Sequence, residues 1–240
     1  MKMRTIRLLQ LYPSEMNIYG DWGNTLTLKK RLEWRGYEVE LLEHHPGQNF
    51  PTDADLLIGG GGQDSGQDKI RDDLLKIGPK LHDLADKDVP MLMICGMYQL
   101  FGRFFETEKG DRIEGFGLFK AQTVAGPKRL IGNIVTKSDQ FGEIIGYENH
   151  SGLTRLDANQ PSLGEVIKGA GNNGQDGSEG AIYKNVIGSY LHGSLLPKNS
   201  KLADWLIEKA IANKFGEAML KDLDDSLATQ ARKTSLSLKR

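Results

Sequence analysis

Cys95 is the only cysteine among the 240 residues, and its neighbours are typical of a reactive thiol. The apolar run 89–94 leads directly into it, and Gly96 follows at the start of a helix-like stretch. A strand, a sharp turn and a helix lift a side chain above the edge of a sheet, and the helix N-terminus favours the thiolate. The N–H of the following residue can then face an oxyanion. A lone buried cysteine is more often an apolar filler, so Cys95 alone is weak evidence.

His192 offers the base that a cysteine nucleophile needs. It lies in the run 188–193, where an apolar strand again delivers a polar side chain into a glycine-bounded turn. An imidazole within reach of Cys95 would take the thiol proton and return it to a leaving amine. Alone, His192 would be interpreted as a structural histidine. The other histidines have weaker claims to this role: His44, His45, His82 and His150. Because no Cys/His spacing resembles a zinc site, no metal site is predicted.

A third element is the glycine run 59–62, which follows an apolar stretch and precedes Gln63 and Asp64. Glycines permit positive φ and bring backbone N–H groups close to a bound oxyanion. The run lacks the Gly-Lys-Ser/Thr ending of a nucleotide P-loop, and it does not match the spaced dinucleotide fingerprint. We therefore interpret it as an oxyanion turn.

The elements that must position these residues alternate along the first hundred residues, which predicts an α/β fold with a mostly parallel central sheet and helices on both faces. After Gly102, short runs rich in Gly, Val and Ile indicate antiparallel strands that extend or cap the sheet. Gly78 and Pro79 should kink or split the second helix. The glycine-rich segment 169–180 should be an exposed loop. The expected strands are 5–11, 37–42, 54–58, 90–94, 115–124, 130–136 and 144–149, with a strand pair in 181–191, and the expected helices are 24–34, 70–85 and 201–215.

Composition narrows the class of protein. The chain carries 31 Lys and Arg against 32 Asp and Glu, so no overall charge attracts a nucleic acid or an anionic membrane. No window approaches the ~20 apolar residues of a membrane span, and one cysteine cannot form an internal disulfide. These features favour a cytoplasmic protein with no membrane insertion. One domain over 1–216 is expected, with a charged helix or tail over 217–240.

The motifs GGGGQD (59–64), ICGMYQLFG (94–102) and SYLHG (189–193) resemble those of the class I glutamine amidotransferases, in particular the cobyric-acid-synthase-like branch. Three further stretches, at 11–36, 146–154 and 196–206, narrow the resemblance to the glutaminase subunits of lipid II isoglutaminyl synthases. The resemblance runs to about Gly216.

This resemblance implies a flavodoxin-like fold in which the cysteine attacks the side-chain amide of L-glutamine, forms a thioester and releases ammonia. The ammonia would pass to an ATP-dependent, Mur-ligase-like (MurT-type) partner in a heterodimer. That partner would amidate the D-glutamate α-carboxyl of lipid II to D-isoglutamine, in peptidoglycan biosynthesis. The chain itself has no P-loop and no Mur-type ATP motif, so we expect no cofactor here, and ATP and Mg on the partner. Lipid II would bring this cytoplasmic complex to the inner face of the membrane.

By matched position, the resemblance makes Cys95 the nucleophile and His192 the general base and acid. Arg129 is the expected glutamine-binding residue, because its planar fork bonds both oxygens of a carboxylate, although its neighbour Lys128 competes for that role. Gln99 is expected to line the substrate pocket or to brace the turn. The oxyanion candidates are Gly60, Gly61 and Gly96.

Two positions depart from the family pattern. Many class I enzymes carry an acid two residues after the histidine, but Gly193 and Ser194 follow His192, so we expect no local carboxylate there. Either Glu148 orients the imidazole, or the partner supplies the acid and the isolated chain is weakly active. Met97 stands where the pattern has a second glycine, and its side chain should narrow the pocket.

Three alternatives stay open at this point. The same elbow could serve another cysteine hydrolase. The glutaminase could supply another amidation, such as that of a cobyric-acid-type acceptor. The chain could also be a non-catalytic subunit that regulates a ligase. In the segment 19–24, Tyr19 and Trp22 are candidate anchors for a partner or, alternatively, core aromatics.

Overall fold

The computed structural model describes residues 4–237. In these residues twelve strands occur: β1 (Thr5–Leu11), β2 (Glu38–His44), β3 (Leu56–Gly59), β4 (Met91–Ile94), β5 (Phe104–Glu106), β6 (Arg112–Glu114), β7 (Ala121–Ser138), β8 (Gly142–Leu156), β9 (Gly164–Lys168), β10 (Ser178–Glu179), β11 (Ala181–Tyr183) and β12 (Val186–Ser189). The helices of the same residues are α1 (Trp22–Glu33), α2 (Asp64–Asp86), α3 (Gly96–Phe101), α4 (Ser200–Phe215) and α5 (Ser226–Ser237), with a 3-10 turn at Leu196–Lys198.

The first sheet has the strand order β11-β12-β4-β3-β1-β2. All of its neighbouring pairs are parallel except β11 with β12, which are antiparallel. Its central strands β3, β4 and β12 are buried along their whole length, as continuous apolar runs in a covered parallel sheet should be. Helix α1 packs on α4, and α2 packs on α3. The predicted α/β fold is confirmed.

Helix α2 runs unbroken through Gly78 and Pro79, so the predicted split is wrong. A Cβ at Gly78 would lie 2.8 Å from the Cβ of Phe116, so the glycine allows this side chain to approach the helix closely. A proline inside a helix costs about 3 kcal/mol. Each fully buried Leu or Ile contributes roughly 1.5–3 kcal/mol, and five such residues of α2 are buried, which outweighs that cost: Ile70, Leu74, Ile77, Leu81 and Leu84.

The antiparallel strands predicted after Gly102 exist, but they build a second sheet instead of extending the first. Its order is β10-β9-β7-β5-β6, and the long strand β8 pairs with β7. The β7–β8 register shifts between Ala125 and Leu130. A bulge of this kind bends a strand and redirects its side chains, and this one contains Arg129.

The segment 169–180 is not simply an exposed loop, because Asn172, Asn173 and Glu179 are buried. The side chain of Asn172 accepts a hydrogen bond from the N–H of Gly180 and donates one to the Gly180 carbonyl, both at 3.0 Å. Side-chain amides thus satisfy the backbone of a glycine-rich turn that lies inside the protein.

The C-terminal segment follows α4, which ends at Gly216 with φ of 91°. Arg31 on α1 pairs with Asp204 of α4 and with Asp225, just before α5. Within the predicted charged segment, the surface helix α5 forms over Ser226–Ser237. Residues 238–240 lie outside the described residues. Within 4–237 no helix is long and apolar enough to cross a membrane. The boundary at residue 216 stays a prediction.

Candidate active site

Cys95 occupies a strained elbow between β4 and α3. Its φ is 51° and its ψ is −105°, a conformation that non-glycine residues rarely adopt. Its N–H donates to the Ser189 carbonyl at 2.8 Å, and the side chain is 5% exposed. Strained backbone persists only where the surrounding structure imposes it, and such strain clusters at functional sites. This geometry matches the strand-turn-helix predicted for a nucleophile.

His192 reaches Cys95 because the strands before them are neighbours. Strand β12 lies parallel to β4, with Ser189 beside Ile94, so the two chains leave the sheet at the same edge. His192 then makes a two-hydrogen-bond bridge to the backbone of Tyr147, at 2.8 and 3.3 Å. Its side chain is fully buried.

The charges around His192 favour the imidazolium. Burial by itself lowers the pKa of His192, but the electrostatic interactions with Cys95 and Asp21 outweigh it and raise the pKa to about 10. An imidazolium next to a thiolate is the reactive form of a cysteine-histidine pair. The two predicted catalytic residues therefore meet in a chemically sufficient arrangement.

Asp21 places an in-chain carboxylate beside His192, although the sequence offered only Glu148 or a partner residue for this position. Its Oδ2 lies 3.4 Å from Nδ1 of His192, and the carboxylate is 1% exposed. The contact has the length of an ion pair, and neither ring nitrogen has a hydrogen bond of full geometry within 4–237. Catalytic hydrogen bonds are often long before the substrate binds and tighten in the Michaelis complex.

Glu148, the in-chain candidate for the orienting acid, is engaged elsewhere. Its two carboxylate oxygens accept the N–H groups of Ala170 and Gly171, at 2.8 and 2.9 Å. Burial raises the pKa of Glu148, and these two hydrogen bonds oppose the rise. Glu148 therefore holds the buried turn after β9, and its assignment as the acid that orients His192 is wrong.

The second and third glycines of the run let neighbouring segments approach the loop closely. The N–H of Gly61 donates to Oδ2 of Asp21 at 2.6 Å, so the oxyanion role of Gly61 is wrong. A Cβ at Gly61 would lie 2.7 Å from Cε1 of His192, and one at Gly60 would lie 2.3 Å from the carbonyl oxygen of Met16. Both glycines let other segments pack against the loop.

Gly62 is the glycine of the run that lines the cavity above Cys95. Its amide nitrogen lies 3.1 Å from the position that a Cβ on Gly96 would occupy, so the backbones of these two glycines are close together. Neither N–H has a hydrogen-bond partner within the described residues. The oxyanion role of Gly96 stays a prediction, and Gly62 is a further candidate for the same role.

The cavity measures about 380 Å³ and is bordered by Cys95 and Arg129. That volume is within the range of small-molecule sites. Arg129 projects from the bulge in β7, and its guanidinium donates to the side-chain and backbone oxygens of Asn149, both at 2.9 Å. Lys128 does not border the cavity. The bulge therefore presents the arginine, and not the lysine, to the site.

Gln99 braces the elbow although it also borders the cavity. Its Oε1 accepts from Gln67 at 2.8 Å, and its Nε2 donates to the hydroxyl of Tyr190 at 3.0 Å. Met97 is fully buried and packs towards Gly59 on β3, where a Cβ would meet its Cγ at 2.9 Å. Met97 does not border the cavity, so the expectation that it narrows the pocket is wrong.

Tyr19 belongs to the site as well. It borders the cavity, its ring meets that of His192 edge-on with centroids 5.0 Å apart, and it is 46% exposed. Residues 4–237 contain no group of three or more His, Cys, Asp or Glu that could hold a metal ion. Asp21 and Gly62 are the residues that sequence reasoning missed. The sequence signal for Asp21 is its place between Gly20 and Gly23.

Comparisons with known proteins find relatives along most of the chain. The profile of the CobB/CobQ-like glutamine amidotransferase domain matches residues 7–200. The GatD subunit of lipid II isoglutaminyl synthase (glutamine-hydrolyzing) from Staphylococcus aureus (strain N315) is 37% identical over 96% of this chain and 94% of its own length. The same subunit from Streptococcus pneumoniae (strain ATCC BAA-255 / R6) is 38% identical over 88% and 83%. Cobyric acid synthase from Mesorhizobium japonicum is 32% identical over 65% of this chain but only 32% of its own length.

Two solved structures share the fold. PurLQS from Thermotoga maritima superposes with a TM-score of 0.58 at 16% identity, covering 87% of this chain and 98% of that chain. The glutaminase domain of Trypanosoma brucei CTPS with bound acivicin gives 0.57 at 8% identity, covering 90% and 96%. At these identities the likeness concerns the fold alone.

Proposed function

Because the chain belongs to the CobB/CobQ-like glutamine amidotransferase family, we propose that it is the glutamine-hydrolysing subunit of a lipid II isoglutaminyl synthase and acts through a Cys95 thioester. The observation that carries the proposal is the Cys95–His192–Asp21 arrangement at a strained elbow, in a cavity that Arg129 borders. A structural cysteine requires neither a left-handed backbone nor a buried imidazolium beside it.

The first half of the reaction releases ammonia. The Sγ thiolate of Cys95 attacks the side-chain amide carbon of L-glutamine, and the N–H groups of Gly62 and Gly96 stabilise the resulting oxyanion. The His192 imidazolium protonates the amide nitrogen, the C–N bond breaks, and ammonia leaves a γ-glutamyl thioester on Cys95. Asp21 holds the imidazole ring and stabilises its positive charge through Nδ1.

The second half regenerates the enzyme. Neutral His192 takes a proton from water, and the resulting hydroxide attacks the thioester carbon. The C–S bond breaks, the Cys95 thiolate returns, and glutamate departs. The sum is glutamine and water giving glutamate and ammonia, which leaves both catalytic residues in their starting protonation states. Arg129 binds the α-carboxylate of the substrate by two parallel hydrogen bonds, which sets the distance from that end to the reacting amide.

Lipid II is the favoured destination of the ammonia because of the extent of the likeness. The two GatD relatives match along most of their own length, whereas the matched cobyric acid synthase is covered over about a third of its length. The acceptor would be activated on a Mur-ligase-like (MurT-type) partner that binds ATP and Mg, in a heterodimer that shields the ammonia from water. A cobyric-acid-type acceptor is the second candidate, and it predicts no amidation of lipid II.

The test is glutamate release from L-glutamine by the full chain, alone and with the Mur-ligase-like protein, ATP and lipid II. We expect Cys95→Ala and His192→Asn to abolish release and lipid II amidation, because each removes a group that forms or breaks a bond. His45→Asn, at a half-buried position that does not border the cavity, is the matched control and should retain both activities. Release that persists in Cys95→Ala would refute the mechanism, and release without amidation would redirect the search for the acceptor.

A further inference from the structure

We propose that Ser194 is a positioning residue that locks the Asp21 loop against the His192 loop, an inference that rests on the proposed glutaminase function. Its hydroxyl donates to the carbonyl oxygen of Gly20 at 2.6 Å. Ser194 follows His192 by two positions, and Gly20 precedes Asp21. The hydrogen bond therefore joins the two loops immediately beside the carboxylate–imidazole contact.

The backbone on both sides of this bond is shaped to make it. Ser194 has φ of 47° and Gly193 has φ of 73°, so the chain turns back sharply after His192. On the opposite side, Tyr19 and Gly20 have φ of 54° and 79°. Such values cost energy for a non-glycine residue unless the surroundings impose them. The hydrogen bond from the Ser194 side chain is thus one of the contacts that hold its backbone at this positive φ.

One peptide unit transmits the effect. The Gly20 carbonyl is bonded covalently to the nitrogen of Asp21, so holding that carbonyl limits the directions in which the carboxylate can point. The carboxylate has two tasks, accepting the N–H of Gly61 at 2.6 Å and facing Nδ1 of His192 at 3.4 Å. Without the Ser194 bond, we expect Asp21 to keep its hydrogen bond to Gly61. The contact with His192 should loosen, because it is the contact that joins the Asp21 loop to the His192 loop.

A second hydrogen bond keeps the loops in register. The N–H of Leu196 donates to Oδ1 of the buried Asn24 at 2.9 Å. Gly23 packs directly against Ser194, since a Cβ there would lie 2.1 Å from Oγ of Ser194. Ser194 does not border the glutamine cavity. Its removal should therefore affect the chemical step and leave substrate binding unchanged.

The first experiment measures glutamate release by Ser194→Ala in the full chain and in the complex with its partner. We expect kcat to fall about fivefold to tenfold with KM for glutamine unchanged. Thr27→Val is the matched control, because it removes a similar hydroxyl–carbonyl bond within α1, to Gly23 at 2.7 Å, and it should retain the wild-type kcat. A wild-type kcat in Ser194→Ala would overturn the proposal.

The second experiment asks whether Ser194 acts through Asp21. In an Asp21→Asn background, Ser194→Ala should cause no further loss, because the contact that it supports has gone. Multiplication of the two losses would overturn the proposal. Gly23→Ala perturbs the same bond from the opposite side and should lower kcat by a similar factor, so the test does not depend on one variant folding.

A third measurement is independent of glutamine. Cys95 is the only thiol, so alkylation of the full chain by iodoacetamide reports its thiolate alone. Cys95, Asp21, Tyr19 and, more distantly, His150 face the His192 ring. A loosened Asp21 contact leaves the His192 ring less firmly held beside the Cys95 thiol, so alkylation of Ser194→Ala at pH 6 should be about threefold slower than that of wild type. Equal rates would overturn the proposal, whereas absence of glutamate release from wild type would refute only the function.

Discussion

Replacing the buried Glu179 by glutamine should change how the stability of the protein depends on pH. Glu179 lies at the end of β10 and is fully buried. Its Oε1 accepts the hydroxyl of Ser189 and the N–H of Tyr190, at 2.7 and 2.8 Å, on the chain that leads to His192. Its Oε2 has no hydrogen-bond partner within the described residues. The carboxylate is therefore only half satisfied, whereas Glu179→Gln keeps an oxygen for both donors.

Burial raises the pKa of Glu179 from 4.5 to about 7, against the opposing effect of its hydrogen bonds. Between these two values the folded protein holds a proton that the unfolded chain has released, so stability falls as pH rises. One pKa unit corresponds to about 1.4 kcal/mol, so about 3 kcal/mol present below pH 4.5 is lost by pH 8.

His150 gives the opposite slope. Burial lowers its pKa from 6.5 to about 4. The unfolded chain therefore binds the extra proton between those values, and stability rises with pH in that window. Because the two effects oppose each other between about pH 4.5 and 6.5, the wild-type curve alone does not separate them, and the difference between wild type and Glu179→Gln does.

The assay is urea unfolding of wild type and Glu179→Gln from pH 4 to pH 8, followed by circular dichroism. The free energy of unfolding of the variant, relative to wild type, should increase by about 3 kcal/mol between pH 4.5 and 8. Glu165→Gln, at an exposed position on β9, is the control and should show no such trend. A difference that stays constant with pH, or that decreases, would refute the linkage argument.

Three further predictions concern glutamate release. Asp21→Asn should lower kcat roughly 100-fold and move the high-pH limb of kcat/KM to lower pH, since a support of the His192 imidazolium is lost; unchanged activity in the complex would assign the orienting acid to the partner. Arg129→Lys should raise KM for glutamine about tenfold or more with little change in kcat, measured by steady-state kinetics; a selective fall in kcat would contradict a binding role. Gly61→Ala should lower kcat while circular dichroism stays that of wild type, because its Cβ would lie 2.7 Å from the His192 ring; full activity would show that the ring is free to move.

The sequence alone determined which residues could react. An apolar run, a polar residue and a glycine form a local pattern, so Cys95 and His192 could each be identified as the end of a strand that enters a turn. The α/β class followed from the same local periodicity. Helix α2 shows where this reasoning fails, since Pro79 predicts a break locally but the buried side chains along the helix compensate for it.

Only the tertiary structure decided how the reactive pair is completed. Asp21 meets His192 because β1 and β3 are adjacent in the sheet and the loops after them pack together, which brings the Gly61 N–H to the carboxylate. The bulge in β7 selects Arg129 over Lys128, and the hydroxyl of Ser194 closes onto Gly20. No sequence period or motif marks these features, because each depends on segments that are separated in the chain. Their positions follow from strand order and packing.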